Sequence, residues 1–321
     1  ACSLDNTSSY LVIFAFFISY TVMAIPSSEV LKRTGFKRGM SLGLVIMAVG
    51  TLIFIPAAQI ASYPLFLVGL FTIGIGLTLL QTASNPYATI LGPRESAAQR
   101  ISFMGIANKL AGIFSQRLFG GLLLAGGAAA TPQEELQKVE MPYMILTAVL
   151  VVLAALIWFS KGLPDVSEEQ EDTDGKAIKV NHTSVFSFPN LVLGVIALFC
   201  YVGVEVISGD TIINYGVSLG FSEAEASTFG TYTLWSMLAA YVLGIILIPK
   251  YVSQNLCLQV SAVLGIIGTI LAVTTGGFTS VLSIAFLGFA NALVWPAMWP
   301  LALDGLGKFT KSGSALLIMG I

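Results

Sequence analysis

The chain has 321 residues, of which 56% are hydrophobic and only 10% are charged, with a mean hydropathy of +0.87. A soluble domain carries roughly 25% charged residues because its surface faces water, so this composition excludes an ordinary soluble domain and predicts a protein embedded in lipid. The net charge of -2 says little about partners, but the basic patches expected of a nucleic-acid-binding protein are missing.

Apolar runs long enough to cross a bilayer recur along the chain. A membrane-spanning helix needs about 20 mostly apolar residues. In chain order the nine segments that meet this requirement are residues 10–30, 40–61, 64–91, 101–125, 141–160, 191–215, 224–248, 256–275 and 280–303. A tenth run begins at Ser312. We therefore predict an all-α protein that crosses the membrane many times.

One stretch, residues 161–189, interrupts this pattern with acidic and basic side chains and almost no apolar run, which is typical of a solvated linker. We predict an N-terminal membrane half at 1–160, this linker, and a C-terminal membrane half at 190–321. Basic residues stay in cytoplasmic loops, and most of the 15 Lys and Arg residues fall on the face that carries the linker. The linker is therefore predicted to be cytoplasmic.

Two proline-containing helices form an internal repeat. The segment QTASNPY at 81–87 can be aligned with WPAMWPL at 295–301. A proline inside a span breaks the helix and frees a backbone carbonyl, which is tolerated where a neighbour or a polar cavity satisfies it. Pro86, Pro296 and Pro300 therefore mark candidate cavity linings, although each alone also fits a packing kink. Parallel repeats of this kind build one class of secondary transporters.

Polar side chains within the helices are the candidate substrate contacts. Gln81 and Asn85 are four residues apart on one helix face, where their amides can bind a hydroxyl-bearing ligand or bond to another helix. Trp295 and Trp299 repeat that spacing, and indoles can stack on a sugar ring or simply pack. The remaining predicted substrate contacts are the amides of Asn108, Asn214 and Asn291.

Ionisable residues at bilayer depth are more informative, because charge there costs at least a few kcal/mol and requires a partner or a function. Glu205 and Asp210 lie within the span at 191–215, and Lys109 lies about two turns into the span at 101–125. Glu205 is either the partner of Lys109 in an ion pair or a cation or proton site, alone or with Asp210. The residues alone leave both interpretations open.

Enzyme motifs are missing from the sequence. It contains no HExxH, GxSxG or P-loop pattern, and its single histidine, His182, lies in the linker. The three cysteines are widely spaced and lack ligand-like neighbours. We therefore expect neither enzymatic activity nor a resident cofactor.

Three segments resemble the fucose/proton symporter and glucose/galactose transporter branch of the major facilitator superfamily. They are QTASNPYATILGP at 81–93, FAFFISYTVMAIPSSEVLKRTGFKRG at 14–39 and FCYVGVEVISGDTIINYG at 199–216. The similarity runs along essentially the whole chain. It implies a major facilitator fold of two pseudo-repeated six-helix halves, within which the chain is expected to begin after the first helix and to end in the eleventh.

The resemblance also implies a gate in the loop between the second and third helices. Superfamily members usually carry an Asp there, followed by Arg and Gly. Here Lys32 replaces the Asp while Arg33 and Arg38 persist. These three residues are the predicted gating residues, and the replacement puts the usual gate-locking contact in doubt.

For coupling, the resemblance singles out Gln81. The fucose symporter branch carries a Glu at this position, where it serves proton coupling, whereas Gln81 cannot titrate. The chain therefore resembles the glucose/galactose type, and coupling is expected to use another group. Glu205 is the first candidate, with Lys109 and Asp210 beside it, and with Ser208 as an oxygen ligand if the coupling ion is sodium.

The sequence thus predicts a hexose symporter of the bacterial inner membrane that works by alternating access and is coupled to sodium or protons. Its expected partners are a hexose, the coupling cation and the lipid bilayer, with no nucleic acid, and we expect a monomer. A sodium ion at Glu205 is the one candidate bound group. The alternatives are an uncoupled sugar uniporter, an exporter of a different substrate, and a membrane sugar sensor that signals through residues 161–189.

Overall fold

The computed structural model describes residues 6–125, 138–164 and 183–321, and these ranges are helical with short turns and no strand. The α-helices are α1 (Asn6–Gln59), α2 (Tyr63–Ile90), α3 (Ala97–Ala125), α4 (Glu140–Phe159), α5 (Pro189–Ser218), α6 (Glu223–Leu247), α7 (Gln254–Thr274), α8 (Gly277–Ala292), α9 (Val294–Ala302) and α10 (Thr310–Met319). Short 3-10 turns at Arg94–Ser96, Val185–Ser187 and Gly307–Phe309 precede α3, α5 and α10. The predicted all-α fold class is confirmed.

The long helix α1 contains two of the predicted spans. At Gly35 the backbone has φ 77° and ψ 172°, so α1 is two helices that meet at a bend. Glycine accepts a positive φ because it has no Cβ to clash with the backbone. The two parts, residues 6–34 and 36–59, correspond to the predicted spans at 10–30 and 40–61.

Seven helical stretches in the described ranges are long and apolar enough to cross a membrane. This number is lower than the nine predicted segments for two reasons. The first is that α1 counts once although it holds two of them. The second is that α3 is not counted, because Arg100, Lys109 and Arg117 lower its hydropathy. Its bounds nevertheless agree with the predicted span at 101–125.

The structure divides into two compact units. Unit 1 comprises Ala1–Tyr87, Ser115–Val185 and Gly305–Ile321, and unit 2 comprises Ala88–Phe114 and Phe186–Asp304. Both α2 and α3 contribute residues to each unit. Residues 165–182 of the predicted linker lie outside the described ranges, and the division into halves at 1–160 and 190–321 stays a prediction.

Unit 1 is held together where the second part of α1 packs on α4. Leu44 and Ala48 of α1 bury their side chains against Leu150 and Ala154 of α4. Hydroxyl groups support the same contact: the Thr51 and Thr147 hydroxyls are 2.7 Å apart, and the Ser41 hydroxyl donates to the Ala154 carbonyl at 2.7 Å. Small polar residues that bond across helices are a common means of helix association in lipid.

Unit 2 packs α5, α6 and α8 around one core, in which Ile212, Phe229 and Val281 are buried together. Further along, α6 and α8 approach closely, because a Cβ added at Gly288 would lie 2.7 Å from the Thr233 methyl group. The α8–α6 contact therefore depends on glycine.

The aligned prolines of the internal repeat, Pro86 and Pro300, both lie inside helices, and a break occurs only ahead of Pro296. In unit 2 the helix is interrupted at Leu293, where α8 ends and α9 begins. Pro296 has no N–H to donate to the carbonyl four residues earlier, so the ladder fails there, and the predicted break is confirmed. In unit 1, by contrast, α2 continues through Pro86 to Ile90, so the predicted break at Pro86 is wrong.

Candidate functional site

The charged centre of unit 2 lies between α3 and α5. The Lys109 ammonium donates to Glu205 Oε1 at 3.2 Å, and the Tyr201 hydroxyl donates to Glu205 Oε2. The Lys109 and Glu205 side chains are only 19% and 24% exposed. Lys109 lies about 18 Å along α3 and Glu205 about 24 Å along α5, so both are far from the start of their helices. The ion pair is present, and both oxygens of the Glu205 carboxylate have a donor. We call these three residues the carboxylate centre.

Tyr241 of α6 packs beside this centre. A Cβ added at Gly105 would lie 2.5 Å from the Tyr241 ring, and Gly105 precedes Lys109 by about one helical turn. The Tyr241 side chain is buried. The missing side chain at Gly105 therefore allows the Tyr241 ring of α6 to pack against α3 one turn before Lys109.

The other predicted coupling residues lie on α5 near Glu205. The Ser208 hydroxyl is buried and donates to the Glu205 backbone carbonyl at 3.0 Å, rather than to the carboxylate. The side chain of Asp210 lies outside the described part of the chain. The roles of Ser208 and Asp210 in coupling stay predictions.

In unit 1, Gln81 lies beside a tyrosine that the sequence did not single out. The Gln81 amide donates to the Tyr20 hydroxyl at 3.3 Å, and Tyr20 is buried against the Phe16 ring. The Asn85 amide donates to the Gln81 backbone carbonyl at 3.1 Å. One face of α2 and the first part of α1 therefore carry a joined set of amide and phenol groups.

The predicted substrate contacts in unit 2 fall into two groups. Asn291 and Trp299 are buried, and neither Asn291 Nδ2 nor Trp299 Nε1 has a hydrogen-bond partner within the described ranges. Trp295 is half-buried, and its ring centroid lies 5.5 Å from that of Trp299. Asn108 and Asn214 are exposed. Buried donors without partners are rare in native proteins, so Asn291 and Trp299 are candidates for ligand contact.

Three residues were missed by the sequence analysis. Tyr201 is four residues before Glu205, and that helical spacing could have identified it. Tyr20 and Thr233 had no such signal. The buried Thr233 hydroxyl has no hydrogen-bond partner among the residues that the structure describes, although threonines in helices usually bond to the backbone of the preceding turn.

The predicted gating residues lie around the bend of α1. Glu29 pairs with Lys32 at 3.6 Å and with Arg33 at 3.3 Å, and all three side chains are largely exposed. The Arg38 guanidinium lies 5.8 Å from the centre of the Trp158 ring. The contacts of Lys32 and Arg33 are therefore local to one helix, and a gating role for these residues stays a prediction.

Residues of the turn between α2 and α3 make further polar contacts in unit 2. Arg94 pairs with Asp304 at 3.0 Å. Gln254 donates to the Arg94 carbonyl at 2.7 Å and accepts from the Ala98 N–H at 3.2 Å, and Gln99 donates to the Ile245 carbonyl at 2.7 Å. These contacts join a segment of the predicted N-terminal half to helices of the predicted C-terminal half.

The profile of the Major Facilitator Superfamily matches residues 3–321 of the sequence. The chain belongs to this superfamily. It is 34% identical over 322 residues to the glucose/galactose transporter of Brucella abortus biovar 1, with 99% of this chain and 76% of that protein covered. It is 28% identical over 339 residues to the L-fucose-proton symporter of Escherichia coli, with 100% and 77% covered.

The fold agrees with this membership. The crystal structure of the major facilitator transporter FucP in the outward conformation matches with a TM-score of 0.86 at 27% identity, and the match covers 99% of this chain and 81% of that chain. The resemblance found in the sequence motifs is therefore confirmed, as are the multi-pass topology and the bacterial inner membrane. Major facilitator proteins are membrane transporters and not enzymes.

Proposed function

We propose that this major facilitator protein is a symporter that couples the uptake of a hexose of the glucose/galactose type to protons. Its similarity to a glucose/galactose transporter supports the substrate class, and its similarity to an L-fucose-proton symporter supports the coupling ion. The observation that carries the proposal is the carboxylate centre, because a charged pair inside apolar helices is costly and is usually functional.

Proton binding at Glu205 has a direct structural consequence. A proton on the carboxylate removes the negative charge that attracts the Lys109 ammonium. The ion pair then loses most of its attraction, so α3 and α5 are free to separate at this point. Release of the proton restores the pair. The centre thereby links one protonation event to the relative freedom of two helices.

Sodium is the less favoured coupling ion at this carboxylate. Hard cations require several oxygen ligands, whereas one Glu205 oxygen accepts from Lys109 and the other accepts from Tyr201. A sodium ion would have to displace the Lys109 ammonium and would be repelled by its charge. A proton needs only one oxygen lone pair.

The sugar is proposed to bind to the amides and indoles that the sequence predicts as substrate contacts. In unit 1 the donors are Gln81 and Asn85, with the Tyr20 hydroxyl next to Gln81. In unit 2 they include Asn291 and Trp299, whose buried donors have no partner in the described ranges. A buried donor without a partner costs about 1–3 kcal/mol, so an accepting sugar hydroxyl would recover that energy on binding. Asn108, Asn214 and Trp295 complete the proposed set.

In this proposal the halves work by alternating access, the mechanism typical of transporters with repeated halves. Sugar and proton bind from the outside, the halves rock, and both are released inside. The linker is then a connection between the halves rather than a signalling domain.

The test is a comparison of two transport assays on Glu205→Gln in proteoliposomes. Counterflow exchange of labelled D-galactose against unlabelled sugar needs no proton gradient and is expected to persist. Accumulation driven by a proton gradient is expected to be lost. Glu95→Gln, at an exposed position in the turn between α2 and α3, is the matched control and should retain both activities.

A second variant protects the test against misfolding. Glu205→Gln leaves the Lys109 charge without its partner, and breaking a buried pair in this way costs about 3–5 kcal/mol. The double variant Lys109→Met with Glu205→Gln removes both charges and should restore expression while accumulation stays lost. Proton-driven accumulation by the well-folded double variant would contradict the proposed role of the centre.

A further inference from the structure

A cavity of about 410 Å³ lies in unit 2 at the start of α6, apart from the carboxylate centre. Four aromatic side chains line it: Phe221, Phe229, Tyr232 and Phe278. Ala224, Glu225 and Thr228 complete the lining. We call this the aromatic cavity. It belongs to the loop between α5 and α6 and to the first turns of α6 and α8, which the predicted topology places at the outer face of the membrane.

The four rings pack on one another at mixed angles, since Phe229 and Tyr232 are stacked at 28° with centroids 6.1 Å apart whereas other pairs cross steeply. Phe221 and Phe229 have centroids 5.2 Å apart at an interplanar angle of 88°, and Tyr232 and Phe278 are 6.3 Å apart at 83°. Phe221 and Phe278 are 6.3 Å apart at 64°. Tyr232 and Phe278 are exposed, so part of their ring surface is accessible to a ligand, and the faces of aromatic rings carry negative electrostatic potential.

Glu225 is held in place by hydrogen bonds from neutral groups. Its Oε2 accepts from the Ser222 N–H at 3.2 Å and from the Ser222 hydroxyl at 2.8 Å, and its own N–H donates to that hydroxyl. Within the described residues no Lys or Arg pairs with this carboxylate, which is fully exposed at the N-terminal turn of α6. Its negative charge therefore has no side-chain counter-ion within the described residues.

The surroundings of the cavity are acidic. Residues 211–249 contain Glu223 and Glu225 but no Lys, Arg or His. The nearby hydroxyls are already engaged, since Thr228 donates to the Glu225 carbonyl at 2.7 Å and Ser222 bonds to the Glu225 side chain. The cavity thus offers ring faces and one negative charge, but few hydrogen-bonding groups of the kind that a sugar requires.

From this chemistry we propose that the aromatic cavity binds an organic ammonium group. A cation is attracted to the negative potential of an aromatic face, and Glu225 supplies the opposite charge. The cavity opens at the start of a membrane span, so the ammonium can be carried by a zwitterionic lipid headgroup such as that of phosphatidylethanolamine or by a free amine from outside the cell. This inference does not depend on the proposed sugar transport.

The experiment titrates the full chain in detergent with tetramethylammonium or ethanolamine and follows thermal unfolding, because a ligand that binds the folded state raises Tm by an amount that grows with the logarithm of its concentration relative to Kd. Sodium chloride at equal ionic strength is the reference. Glu225→Gln removes the charge but keeps the capping interaction of the helix, since Gln serves equally in a capping box. Phe278→Leu keeps an apolar side chain and removes the ring face.

We expect both variants to weaken binding of the ammonium probes about tenfold, as loss of roughly 1.4 kcal/mol implies. Glu223→Gln is the matched control, because Glu223 lies in the same turn but does not line the cavity, and it should bind as the parent chain does. Equal losses in Glu223→Gln and Glu225→Gln, or stabilisation by D-galactose in place of the ammonium probes, would overturn the proposal.

A second arm distinguishes the two sources of the ammonium group. The chain is placed in nanodiscs of mixed phosphatidylethanolamine and phosphatidylglycerol, and retained lipid is counted by native mass spectrometry. Preferential retention of phosphatidylethanolamine that is lost in Glu225→Gln identifies the lipid headgroup. Binding of the soluble probes without lipid preference identifies a free amine. If the chain shows no lipid preference and binds none of the soluble probes, the proposed site is contradicted.

Discussion

Threonine hydroxyls within helices provide a comparison at the scale of single residues. The buried Thr147 hydroxyl donates to the Tyr143 carbonyl at 2.8 Å and lies 2.7 Å from the Thr51 hydroxyl. The buried Thr233 hydroxyl has no such partner in the described residues, because the methyl group of that side chain faces Gly288. A buried threonine hydroxyl is therefore hydrogen-bonded in one helix and lacks a partner in another.

Thr233→Val is expected to raise the stability of the sugar-free protein by about 1 kcal/mol, since it replaces an unpaired buried hydroxyl by a methyl group. Thr147→Val, the matched control, should lower it by a similar amount because it removes the buried hydroxyl that bonds to the Tyr143 carbonyl and contacts the Thr51 hydroxyl. Thermal unfolding in detergent measures both. If the Thr233 hydroxyl also contacts the sugar, the stabilised variant will show a raised KM for uptake. A destabilised Thr233→Val would contradict the structural assignment.

At the scale of elements, α2 shows how a membrane helix accommodates a proline. Pro86 cannot donate to the Thr82 carbonyl four residues earlier, yet the helix continues to Ile90. The Ser314 hydroxyl of α10 donates to that carbonyl at 2.9 Å, in a buried position. A side chain that is 232 residues away in sequence therefore replaces the missing backbone donor.

Ser314→Ala should destabilise the protein by about 1–3 kcal/mol, because it leaves a buried carbonyl without a donor. Pro86→Ala restores the backbone N–H, so in that background Ser314→Ala should cost markedly less. A double-mutant cycle by thermal unfolding measures this coupling. Ser102→Ala is the control, since the Ser102 hydroxyl bonds within its own helix. Additive effects of the two substitutions would contradict the claim that the Ser314 hydroxyl takes the place of the backbone N–H missing at Pro86.

The same helices show which features a sequence can predict. Hydropathy located nearly every helix because lipid requires long apolar runs, and the break before Pro296 followed from the missing N–H. The continuity of α2 through Pro86 could not be predicted, because it depends on Ser314, and no periodicity links α2 to α10. Likewise, the Glu205 pairing with Lys109 was one of two open interpretations. It depends on how α3 packs against α5, which a single sequence does not specify.

At the scale of the whole molecule, alternating access requires contacts between the predicted halves that can break. The Arg94–Asp304 pair has this character, because its side chains are 49% and 61% exposed. Exposed ion pairs contribute only about 0–1 kcal/mol, so the pair opposes rocking weakly. The better shielded Lys109–Glu205 pair is the stronger connection, and its proposed control by a proton would make opening depend on the coupling ion.

The most direct test of this account compares D-galactose accumulation in proteoliposomes with an inward proton gradient, an inward sodium gradient, or neither. With one proton per sugar, a gradient of one pH unit supports at most about tenfold accumulation. We expect accumulation with the proton gradient alone and simple equilibration in the other two conditions. Equal uptake in all three, or accumulation with sodium alone, would contradict proton-coupled hexose symport.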